Sequence, residues 1–177
     1  MLLKMLVALL LLCTFQTLSA QKIIIGGAEA NRLLQWSDFS GMPDDSSPFF
    51  AYTAWSTKFK YSSVNFEGNK AILNGFEMTL EFNEKNSWVK KGKENDELLK
   101  HEQGHFVVGR LYMQELLSVI ASTNFSRSDF QQEVRKIVKD THQKYAAMSE
   151  RYDKETNHSM KKEEQAKWNT FFSAQLK

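Results

Sequence analysis

The spacing of apolar positions along this chain changes once, from a period of two before about residue 90 to a helical period after it. Within residues 49–61, Ala51, Thr53, Trp55, Thr57, Phe59 and Tyr61 share one face. The stretch is rich in aromatic and β-branched residues and has no proline or glycine, which predicts one long strand. Two further runs, 71–73 and 76–82, flank Asn74-Gly75. Both turn residues tolerate positive φ, so the pair predicts a hairpin. In the second run Phe76, Met78, Leu80 and Phe82 face inward, while Glu77, Thr79 and Glu81 face water. That alternation predicts an antiparallel sheet with one wet face. Upstream, residues 23–27 form a leader strand or linker, 33–39 alternate loosely, and 41–45 are a turn or loop. Trp88 and Val89 close the strand region, and residues 90–93 are a solvated charged loop.

The second half reads as helix. Asn95 or Asp96 caps a helix that carries Asp96 and Glu97 in its first turn and runs to about Ile120. Residues 124–127 break it. Ser128, with Gln131 three positions on, starts another helix. Its stripe of Phe130, Val134, Ile137, Val138, Thr141, Tyr145, Met148 and Tyr152 is a core face, and it ends near residues 152–155. Ser159 caps a last helix to about Gln175 that buries part of Trp168, Phe171, Phe172 and Leu176. The expected fold is α+β: an antiparallel sheet in the N-terminal half packed on a helical C-terminal half.

Residues 1–20 have the pattern of a signal peptide. Lys4 gives a positive start, residues 6–12 an apolar run, and Ser19-Ala20 small residues for cleavage before Gln21. The run is too short to span a bilayer. Leu12 stands where lipidation of Cys13 would need a small residue. The expectation is a secreted or periplasmic protein. Taking 20 residues from 177 leaves 157, one ordinary domain at 21–177. Cys13 is the only cysteine and departs with the leader, so the mature chain has no disulfide, thiol nucleophile or thiolate ligand. A formal charge of +2 gives no case for nucleic acid, and no second apolar segment approaches membrane length.

Against that background one pentapeptide carries chemistry: His101-Glu102-Gln103-Gly104-His105, the H-E-x-x-H pattern. Residues four apart stack on one helix face, so the two imidazoles can reach one zinc ion, with Glu102 placed to take a proton from a water activated there. With no thiolate available, zinc (Zn2+) needs a third imidazole or carboxylate ligand and keeps a water, the composition of a catalytic site. Val108 and Leu111 stand where a metzincin has glycine and a third histidine, which excludes that form. The third ligand is sought in residues 152–159. His158 is the first choice, on a loop that lets it turn inward, with Asp153 and Glu155 as rivals. His142 falls on the same flank as Asp153 and reads as a half-buried helix residue. Tyr152 lies on the core stripe, yet its hydroxyl near a zinc could donate to an oxyanion, so it joins Glu102 as a candidate catalytic group. Gly104 costs helix stability, which suggests close approach of another element.

The phrases 33–41, 87–89, 98–106 and Tyr152-Asp153-x-x-Thr156-x-His158 occur together in this order. With them the chain resembles a family of bacterial secreted proteins of unassigned function, described as zinc-dependent proteases. The resemblance implies a zincin-like peptidase and favours 152–158 as the second half of the site. The chain departs from that pattern at Val107, where the family tends to be acidic, and at Ser159, where it tends to have glycine. The function expected is zinc-dependent peptide hydrolysis with Glu102 as general base, on a peptide or protein substrate. Strand 76–82 is offered as the edge that pairs with an extended substrate. The runner-up is a non-catalytic secreted module that contains zinc. Hydrolysis of a cell-wall or other non-peptide amide is a third possibility.

Overall fold

The computed structural model describes residues 20–176. The leader expected at 1–20 lies outside the described residues, apart from the backbone of Ala20. Among the described residues nine strands, β1 (Ala20–Ile25), β2 (Ala28–Glu29), β3 (Ala51–Tyr52), β4 (Trp55–Lys60), β5 (Ser63–Glu67), β6 (Lys70–Asn74), β7 (Glu77–Phe82), β8 (Trp88–Val89) and β9 (Phe125–Ser126), precede or punctuate three α-helices. The helices are α1 (Asp96–Ser122), α2 (Phe130–Thr156) and α3 (Lys162–Gln175). The architecture is α+β, with sheets in the N-terminal half and helices in the C-terminal half.

β7 is the spine of the largest sheet, whose order is β2-β1-β7-β4. Its alternation is as expected: Met78, Leu80 and Phe82 are at most 2 % exposed and face α1, each side chain contributing roughly 1.5–3 kcal/mol by leaving water. Its neighbours are not as expected. β4 pairs with it antiparallel and β1 parallel, so the sheet is mixed and β7 has no free edge. A strand occupied on both sides cannot add a substrate strand, which removes 76–82 as the substrate edge. Residues 23–25, expected as leader strand or linker, belong to β1, with Ile25 buried in the core.

The hairpin expected at Asn74-Gly75 is absent. Gly75 does adopt positive φ, at +61°, but the turn carries the chain from one sheet to another. β6 pairs instead with β5, across the two-residue loop Gly68-Asn69, and with β9. The long strand expected over 49–61 is broken at Thr53-Ala54. There the Ala54 N–H donates to Ser87 Oγ at 2.9 Å and its carbonyl accepts from the Asn83 N–H at 2.9 Å. The break changes partners: β3 pairs with β8, β4 with β7. It also turns Thr53 toward α1.

α1 begins where its cap predicts, with Asn95 Oδ1 accepting the Leu98 N–H at 2.9 Å. α2 starts at Phe130 with Asp129 as N-cap, one residue past Ser128, whose hydroxyl donates to the Asp129 carboxylate. Contacts between α1 and α2 run in opposite order, from His101–Asp153 through His105–Ser149 to Tyr112–Tyr145, so the helices are antiparallel. α3 starts at Lys162, with Lys161 rather than Ser159 at its cap, and buries Trp168 and Phe172 beside Tyr152. Among the described residues no helix is long and apolar enough to cross a membrane.

Candidate metal centre

Helical spacing puts Leu98, His101, Glu102 and His105 on one face of α1, and the antiparallel α2 brings Ser149 and Asp153 against it. The three side chains expected to ligate a metal meet at one atom. Asp153 Oδ1 lies 3.1 Å from His101 Nε2, 3.0 Å from His105 Nε2 and 3.3 Å from His158 Nδ1. Ligand atoms of His101, Asp153 and His158 all fall within 4.8 Å of one another. Both candidates His158 and Asp153 are therefore in the cluster. Glu155 is not: it accepts from Trp168 Nε1 at 2.8 Å and pairs with Arg151 at 3.0 Å.

His158 reaches the cluster through an unusual turn. Asn157, His158 and Ser159 all have positive φ, at 48°, 51° and 74°. Each such residue costs about 1–2 kcal/mol relative to right-handed backbone. The turn ends α2, with the His158 N–H returning to the Asp153 carbonyl at 3.1 Å, and aims the imidazole back at the Asp153 side chain. Phe49 packs on its ring at a centroid distance of 4.4 Å.

The outer bonds of the cluster fix the His101 tautomer. Gln165 Nε2 donates to the Tyr152 hydroxyl at 2.6 Å and to Asn169 Oδ1 at 2.9 Å, which leaves Gln165 Oε1 to accept from His101 Nδ1 at 3.1 Å. The proton on Nδ1 gives Nε2 a lone pair facing a carboxylate oxygen, with His101 only 2 % exposed. Two acceptors at that distance repel unless a cation, a proton or a metal ion, sits between them. The ionisation shifts agree. Burial alone would lower the His105 pKa, but its bond to Asp153 and the charges of Glu102 and Asp153 outweigh it and hold it above 6.5. Burial alone would raise Asp153, but the bonds from His101 and His105 hold it well below the usual carboxylate range. The donor set, imidazole nitrogen and carboxylate oxygen, fits a borderline-soft divalent ion.

Glu102 is 3 % exposed and accepts from Thr53 Oγ1 at 2.7 Å through Oε2. It lines a cavity of about 630 Å³ that also exposes His101, His105, Asp153 and His158, within the size range of small-ligand sites. Tyr152 takes the core position that its stripe predicts rather than the catalytic one. It is fully buried, stacked on His101 at 4.6 Å, with its hydroxyl donating to the His101 carbonyl at 3.1 Å while accepting from Gln165. Burial pushes its pKa up, so it is a neutral donor already committed inside the core. Gly104 explains the close fit: a Cβ there would lie 2.6 Å from Tyr152 Cζ. His142 is exposed rather than half-buried and lines the cavity edge-on to Tyr112, outside the cluster.

Three residues of the site carry no sequence signal as site residues. Thr53 holds Glu102, Ser149 Oγ meets His105 Nδ1 at 2.8 Å, and Gln165 holds His101. Only Ser149 could have been found, because it lies one helical turn before Asp153. Gln103, a free position of the motif, accepts the Leu34 N–H at 2.7 Å and ties the N-terminal segment to α1.

Residues 21–160 match the profile of a family described as bacterial protein of unknown function (DUF922). The chain belongs to the DUF922 family. The match spans both sheet and helix and includes every member of the cluster except Gln165, which follows it in α3. For this DUF922 chain, no curated protein and no solved structure shows significant similarity.

Proposed function

We propose that this chain is an exported zinc-dependent peptidase. The observation that carries the reading is the convergence of His101 Nε2, His105 Nε2 and His158 Nδ1 on Asp153 Oδ1, with Glu102 in the same cavity. His101, His105 and Asp153 are the ligands, two imidazoles and a carboxylate. Zinc, when bound, polarises the carbonyl under attack and brings the pKa of water from about 15.7 to about 7. Glu102, steadied by Thr53, accepts the proton of the attacking water and returns it to the leaving amine. Gln165 and Ser149 hold the imidazoles in register. His158, with 42 % of its side chain exposed, sits over the open side of the site, where it donates to the oxygen that gains charge. That role passes to it because the Tyr152 hydroxyl is committed inside the core and acts as a positioning group. The substrate edge passes from 76–82 to β3, which pairs with β8 on one side only and borders the cavity.

One observation favours a non-catalytic zinc module. If His158 also ligates, the protein supplies four donors and the site is closed, as structural zinc sites are. The two readings separate on Glu102→Gln. The expected result is that wild type cleaves members of a mixed peptide library, and that the variant retains zinc and cleaves none. Zinc-loaded wild type that leaves every peptide intact supports the module. Cleavage confined to added peptidoglycan fragments assigns the hydrolysis to non-peptide amides.

A further inference from the structure

The cavity is chemically two-ended. One end holds the cluster; the other, further along α1, is bounded by Trp55, His142, Tyr145 and Ala146. The Trp55 ring can lie on α1 only because residue 109 is glycine: a Cβ there would sit 2.9 Å from Trp55 Cδ2. The indole is thereby laid down as a floor, backed by Tyr112 at 6.1 Å. Ala146 lies three residues before Ser149 and seven before Asp153, on the same face of α2. It is exposed, and its small side chain leaves the wall open beside the indole. The Tyr145 hydroxyl is turned away to Glu115 at 2.8 Å, so that residue offers its ring. Among the described residues no lysine or arginine borders the cavity, and its two carboxylates are engaged by Thr53 and by the imidazoles.

We propose that this end is a subsite for a large apolar side chain, aromatic by preference, carried by an extended peptide next to the bond to be cut. Trp55 supplies the stacking surface and Ala146 the opening. The inference rests on the peptidase reading above. A cationic side chain would find no free carboxylate there and an anionic one no lysine or arginine, so either would lose water with little compensation.

The test is cleavage of a mixed peptide library by the zinc-loaded full-length chain, with products sequenced by mass spectrometry. Wild type is expected to favour phenylalanine, tyrosine, leucine or methionine over alanine by at least about tenfold at one position flanking the cut, the discrimination an apolar pocket gives. Ala146→Trp fills the opening and moves the preference toward small side chains by about tenfold or more, and Ala146→Leu moves it part of the way. Because Ala146 is exposed, zinc content and thermal midpoint should match wild type in both variants, which separates a filled subsite from a damaged fold. Cleavage without an apolar preference, or a preference unmoved in both variants, overturns the subsite and leaves the peptidase reading standing. Failure of wild type to cut any peptide overturns both.

Discussion

The two halves of the cluster are built in opposite ways. The half on α1 is rigid: His101 and Glu102 are at most 3 % exposed, each held by a second residue, with Tyr152 packed against Gly104 beneath them. The half at the end of α2 is tense and open: Asp153 and His158 have 30 % and 42 % of their side chains exposed, and His158 rides on three left-handed residues. The first half gains its precision from packing, which tolerates little change. The second gains it from backbone conformation and electrostatics, which can be altered without disturbing the core. The difference teaches where substitution should cost metal, where it should cost stability, and where it should cost neither.

The comparison breaks first at Asp153. Asp153→Ala should weaken zinc binding by more than the roughly 10–100-fold that loss of a supporting partner costs, while His158→Ala should keep most of its zinc. Elemental analysis after dialysis checks this; equal retention in both would erase the distinction between ligand and neighbour. Next is Gly104→Ala. Overpacking costs about 1–3 kcal/mol, against about 1 kcal/mol gained in helix propensity. A net loss with a lowered thermal midpoint is expected, although alanine is the better helix former.

The pH dependence should differ in sign between metal-free and metal-loaded protein. His105 is held above 6.5 in the folded chain, so its stabilisation is fully present below about pH 6.5 and is lost as pH rises through the folded value. Asp153, held low, contributes across that whole window and fails only in strong acid. With zinc bound, protons compete with the metal, so stability should rise over the same range. Thermal scans at about pH 6 and about pH 8.5, with and without zinc, read the two slopes; slopes of one sign would remove the metal from the account. The smallest effect is expected at Ser159→Gly. Its φ of 74° suits glycine, and relief of the turn less the added chain entropy should give about 1 kcal/mol, or roughly 2–4 °C. No gain would mean that the turn carries little strain.

Local signals in the chain were the most legible. Asn95 caps α1 because its side chain and the Leu98 N–H are three residues apart, and the stripe from Phe130 to Tyr152 marks the buried face of α2. The alternation of β7 revealed its buried face but not its partners, because the groups that pair strands lie in the plane of the sheet and leave no trace in the apolar pattern. At Asn74-Gly75 the chain changes direction at Gly75 alone, with Asn74 still in β6, because local turn chemistry does not determine whether the flanking strands pair. In the site, His101, Glu102 and His105 are encoded by spacing, and Asp153 and His158 by their place at and just past the end of a helix that must fold back. Thr53 and Gln165 are uncharged groups whose roles depend on approaches between distant segments, beyond the reach of any local pattern, and Ser149 is marked only by lying one helical turn before Asp153.

The cluster draws Thr53 from the break between β3 and β4, His101 and His105 from α1, Asp153 and Ser149 from α2, His158 from the turn after it, and Gln165 from α3. No single helix or strand contains it, and α1 can wind without assembling it. A metal taken up tightly here therefore reports the last long-range docking in folding rather than the formation of helix, since such contacts close only after the chain between them is ordered. Zinc uptake against time would serve as a clock for completed tertiary structure, running behind any signal that follows helix content alone.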